Sequence, residues 1–209
     1  MSIDPVQVFL AFTVLVISLS IHEAAHAWSA DLFGDPTAST MGRVTLNPLA
    51  HIDPIGTVLF PLVAMVSGLP LIGWAKPVPV TPRYLGANWR QKFMVIAAAG
   101  PASNLVLACA AAALLHLGFA ATGTGLDQST SRLLSRVLSL NVVLAVFNMI
   151  PVPPLDGGNV LAGLLPAPAA AVLDRLKPYG FLILYALLLS GILSSFVFPI
   201  AGSITSWLD

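Results

Sequence analysis

The chain has 209 residues, 57% of them hydrophobic and 9% charged, with nine basic and nine acidic side chains that cancel to zero net charge. A soluble domain carries about a quarter charged residues, so this composition excludes an ordinary soluble protein, and the even balance offers nothing to nucleic acid. The lone cysteine, Cys109, excludes a disulfide framework and reads as a small buried packing residue.

Charge-free runs organise the chain. A first span is expected from about Pro5 to Leu32, ended by Gly34-Asp35-Pro36. The chain opens Met-Ser-Ile-Asp, without the basic residues of a signal peptide, so the stretch is read as a retained span. Residues 41–48, Met-Gly-Arg-Val-Thr-Leu-Asn-Pro, are partly β-branched between turn formers and predict a short β-hairpin-like element. Residues 54–75 are apolar but broken by Pro61, Gly68, Pro70 and Gly73, and read as a re-entrant or fifth spanning segment. Lys76 to Pro82 is an extended, proline-punctuated stretch. Further helices are expected from Arg90 to about Gly118, from near Arg132 into Pro151, Pro153 and Pro154, and over about 178–198. The fold class is therefore an all-α polytopic membrane protein with four core transmembrane helices. It forms one integral-membrane domain over 1–209, with a catalytic core at about 5–165. With 54–75 re-entrant, seven of the nine basic residues share one side and only Arg132 and Arg136 face the other, as the positive-inside bias favours.

The chemistry begins at Ser-Ile-His22-Glu23-Ala-Ala-His26. Glu23 is the only glutamate in the chain, and the His22-Glu23 pair directly follows a sixteen-residue charge-free run from Val6 to Ile21. Histidines at i and i+4 share one helix face and can bind one zinc, with Glu23 placed as general base for a water. An ionisable group in a spanning helix costs several kcal/mol on insertion scales, roughly 2.5–3.5 for an aspartate, so its presence calls for a function. A third protein ligand is needed. No second glutamate exists, which leaves His51, His116 and the aspartates. His116 sits at an apolar helix end and reads as a packed or interfacial residue. His51 reads either as a donor near the metal or as a partner of Asp53. Asp156 follows three prolines that break a helix at membrane depth, where irregular backbone survives only if it is buried or lines a cavity. It is read as pointing into such a pocket, or as capping the helix beyond it.

Together, His-Glu-Ala-Ala-His on the first span, Gly100-Pro-Ala-Ser-Asn104 on a later one, and Asn148-x-x-Pro-x-Pro-x-x-Asp156-Gly-Gly resemble the site-2 protease family of intramembrane zinc metalloproteases. The likeness covers most of residues 20–160 and is nearest to small bacterial members without a PDZ domain. It implies one zinc per chain, bound by His22, His26 and Asp156. It implies Glu23 as the base, Asn148 orienting substrate or supporting the oxyanion, and Asn104 in helix packing or site support. It further implies a multi-pass protein of the bacterial inner membrane whose partners are the lipid bilayer and a membrane-embedded substrate segment, with no nucleic acid. The alternatives are a membrane metal carrier and a non-catalytic helix-binding scaffold.

Overall fold

The computed structural model describes residues 5–60, 63 and 74–208, and among these it is all-helical. The main helices are α1 (Pro5–Leu32), α2 (Thr37–Thr40), α3 (Pro82–Leu85), α4 (Trp89–Thr122), α5 (Gln128–Asn148), α6 (Asp156–Leu164), α7 (Ala167–Leu176), α8 (Gly180–Leu189) and α9 (Ile192–Leu208). Three of them, α1, α4 and α5, are long and apolar enough to cross a membrane. α7–α8 and α9 form a further apolar pair bent by 77°. This is a multi-pass membrane protein.

Small residues let these helices approach closely, as expected where lipid removes the hydrophobic drive between them. Ala108, Ala111 and Ala112 of α4 meet Leu138 and Val142 of α5 and Ala201 of α9 in one buried cluster. Ala30 of α1, Leu85 of α3 and Ile96 of α4 form a second. Asp127 caps α5, its carboxylate accepting from the Ser129 and Thr130 amides, so the helix starts four residues before Arg132.

α1 and α4 pack antiparallel, since His22 pairs with Asn104 and His26 with Ile96. The foot of α1 is tied to the approach to α4: Asp35 Oδ2 accepts from the Thr81 amide at 2.5 Å, and the Thr37 and Thr81 hydroxyls meet at 2.9 Å. The connection between the two spans thus begins and ends on one face. Most of the segment 54–75 lies outside the described residues (61–62 and 64–73), but its described ends meet. The Trp74 amide donates to Gly56 O at 3.2 Å, and Thr57 Oγ1 donates to Trp74 O at 2.8 Å.

Three expectations are corrected. Residues 41–48 form turns and bends, with no strand among the described residues. Their polar groups are taken locally: the Arg43 amide by Ala38 O, Thr45 O by His51 Nε2, Thr45 Oγ1 by the Asn47 amide, and Asn47 Oδ1 by the Leu49 amide. Residues 178–198 are not one straight span. Gly191 adopts a left-handed φ of 75° that breaks the chain between α8 and α9. Cys109 is exposed on α4 rather than buried.

Candidate metal and catalytic site

α1 carries His22 and His26 one turn apart, facing α4. The chain after α5 supplies the third group. Residues 149–155, which hold all three prolines, are non-helical, and α6 starts at Asp156. Its two glycines allow that start to pack on the break. A Cβ on Gly157 would lie 2.3 Å from Met149 O, and one on Gly158 2.9 Å from Pro153 N. Asp156 is thereby turned toward α1.

Three ligand-type atoms converge there. His22 Nε2 and His26 Nε2 are 3.1 Å apart, and Asp156 Oδ2 lies 3.2 Å and 3.4 Å from them. Both histidines are buried, and Asp156 Oδ2, also buried, has no hydrogen-bond partner among the described residues. Each imidazole spends its other nitrogen elsewhere: His22 Nδ1 on Asn104 Oδ1 and His26 Nδ1 on Ile96 O, each at 2.7 Å. Those acceptors require an N–H at Nδ1, so each imidazole in its neutral form keeps its lone pair on Nε2, directed at Asp156. With both imidazoles neutral, three electron-rich atoms facing one another are a poor arrangement on their own and a good one around a cation. Zinc bonds of about 2.0–2.1 Å in a tetrahedral site separate neighbouring ligand atoms by about 3.3 Å, and the observed triangle has those dimensions. The residues fit zinc.

Glu23 is buried beside the pair, and its Oε2 accepts from the Val78 amide at 3.1 Å. The same extended strap is braced from behind. The Arg43 guanidinium donates to Lys76 O, and the Lys76 amide donates to His51 O at 2.8 Å. Burial lowers the pKa of Arg43 from its ordinary value, and the Glu23 carboxylate opposes that shift. On the outer flank of this turn of α1 lies an apolar groove of about 320 Å³. It is lined by Ile21, Ala24, Ala25 and Trp28 of α1 and by Val44, Thr45 and Leu46.

The remaining candidates fall elsewhere. Asn148 is half-buried and donates back to Leu144 O of its own helix at 3.0 Å. His51 bonds to Thr45 O, while Asp53 instead caps residues 54–59. His116 meets Leu208 O at 2.9 Å, far along α4 from the cluster. Sequence reasoning quoted Gly100 only as part of a motif, without a role, and did not single out Asn141, Ser18 or the strap amide of Val78. A polar Asn141 within an apolar span was the one available signal.

The model of peptidase family M50 matches residues 10–138 and 118–191. The chain belongs to peptidase family M50. It is 39% identical over 196 residues to the Bacillus subtilis protein named "Putative zinc metalloprotease YwhC", covering 90% of this chain and 84% of that one. It is 34% identical over 192 residues to the Rip2 protein of Mycolicibacterium smegmatis, covering 88% of this chain and 68% of that one. The Rip2 protein of Mycobacterium tuberculosis is 28% identical over 186 residues, with the same coverage. Both Rip2 proteins bear the same zinc metalloprotease description as YwhC. No solved structure matches the chain. Membership of M50 agrees with the likeness to site-2 proteases, and it identifies this membrane protein as a zinc metalloprotease relative.

Proposed function

We propose that this chain is an intramembrane zinc metalloendopeptidase of the bacterial inner membrane. Its zinc, one per chain, would be held by His22, His26 and Asp156. The observation that carries the reading is the triangle of Nε2, Nε2 and Oδ2 atoms, 3.1–3.4 Å on a side, within an apolar helix bundle.

When bound, zinc supplies Lewis acidity toward a scissile carbonyl and toward an attacking water. Glu23, fixed by the Val78 amide, takes the proton from that water and returns it to the leaving amine. Asn148 is assigned to orienting the peptide. The substrate is a membrane-embedded protein segment. A transmembrane helix hides its peptide bonds, so it must unwind to be cut, and the apolar groove beside Ile21 and Ala25 suits an unwound apolar stretch.

The test is hydrolysis by the purified protein in liposomes. The substrate is a labelled single-span peptide with Gly and Pro near its centre. The reading expects cleavage that ceases with a zinc chelator and in Glu23→Gln. Equal cleavage by Glu23→Gln would overturn it.

A further inference from the structure

A chain of buried amides runs from the candidate metal site across three helices, and its direction can be fixed from one end. Asn141 of α5 is fully buried. Its Nδ2 donates to Val137 O at 2.8 Å and to Ser18 Oγ of α1 at 3.0 Å. A backbone carbonyl only accepts, so the Val137 contact settles which end of the Asn141 amide is nitrogen. Asn141 Oδ1 is then the acceptor facing α4. Asn104, also fully buried, must present its Nδ2 there, at 2.8 Å. That orientation turns Asn104 Oδ1 toward His22 Nδ1 at 2.7 Å, and His22 must carry its proton on Nδ1. The polarity set at Val137 O thus reaches His22 Nε2, two side chains away.

We propose that Asn141 is a positioning residue for zinc binding, acting through Asn104 to hold His22 in the tautomer whose Nε2 is free. The inference rests on the zinc reading above. Asn104 alone could rotate its amide and offer His22 an N–H, which would shift the imidazole proton to Nε2 and block the metal. Asn141 removes that option, because a flipped Asn104 would set oxygen against oxygen. His26 needs no such relay, since its partner, Ile96 O, cannot flip. Ser18 is a secondary anchor, because Val137 O already fixes the direction.

The competing role for these residues is interhelical glue, which would act on stability and not on metal affinity. The experiment separates the two. Full-length protein in detergent is stripped of metal, and zinc affinity is measured by competition with a chromophoric chelator. The metal-free melting temperature is recorded alongside. Asn141→Leu is expected to weaken zinc binding by roughly 10–100-fold, the usual effect of removing a group that orients a ligand. Asn141→Asp keeps the acceptor and should retain most of the affinity, and Ser18→Ala should be close to wild type. The double variant Asn104→Leu/Asn141→Leu should bind zinc no more weakly than Asn104→Leu alone, because one pathway has been cut twice. Should Asn141→Leu not fold, Asn141→Ala takes its place. Wild-type affinity with only a lowered melting temperature would overturn the proposal, as would additive losses in the double variant. Failure of the wild-type protein to take up zinc would instead overturn the reading of the site itself.

Discussion

Gly100 of α4 lies against His26 of α1 so closely that a Cβ at position 100 would stand 2.4 Å from His26 Nε2, and 2.6 Å from His22 Nε2. The glycine is required by the approach of the helix backbone to the metal-binding face of the histidine pair. The obstacle is a pair of ring nitrogens whose other edges are already hydrogen-bonded, so neither ring can swing away cheaply.

Gly100→Ala is therefore expected to displace the Nε2 atoms and cost zinc affinity. Overpacking of this kind costs about 1–3 kcal/mol, which corresponds to about 5–150-fold in a dissociation constant. Gly202→Ala, with nothing within 4 Å of its added carbon, is the matched control. Chelator competition on both variants checks this, and equal affinities would show that the helices separate freely.

The candidate site was legible in the sequence to the extent that its parts share short spacings. His22, Glu23 and His26 were visible because a helix turns i and i+4 to one face, and Asp156 because three prolines precede it in an apolar run. The Ser18–Asn141–Asn104 relay was not visible. Its members lie 123 and 37 residues apart, and no local pattern couples them. Residues 41–48 were misread because β-branched content reports backbone preference and not what the carbonyls bond to. Cys109 was misread because α4 is apolar all round, so its composition does not distinguish the face that packs from the face that meets lipid. At 190–191 the mostly apolar sequence on either side masked a break made by one glycine.

Arg43 braces the strap that holds Glu23, through Lys76 O and then the Val78 amide. Arg43→Gln shortens the side chain and removes the charge facing Glu23. Cleavage should fall about tenfold or more, the equivalent of one charge-assisted hydrogen bond of about 1.5–3 kcal/mol, with zinc content unchanged. Arg43→Lys should recover part of the rate. Zinc loss in Arg43→Gln would place the defect at the metal and not at the strap.

The bond between Asp35 and the Thr81 amide joins the end of α1 to the approach to α4. Residues 45 and 83 should consequently face the same side of the membrane. Single cysteines at these positions, in a Cys109→Ser background because Cys109 is itself exposed, can be labelled in intact and in inverted vesicles. Both should react in one orientation only. Reaction from opposite faces would mean that the intervening chain crosses the bilayer an odd number of times.

Zinc content per chain in Asp156→Ala, beside Glu23→Gln and the unaltered protein, tests the central claim most directly. Asp156 Oδ2 is the third corner of the triangle, while Glu23 is held by the Val78 amide. The unaltered protein and Glu23→Gln should each carry about one zinc after passage over a mild chelating resin, and Asp156→Ala should carry far less. Full zinc occupancy in Asp156→Ala would contradict the account.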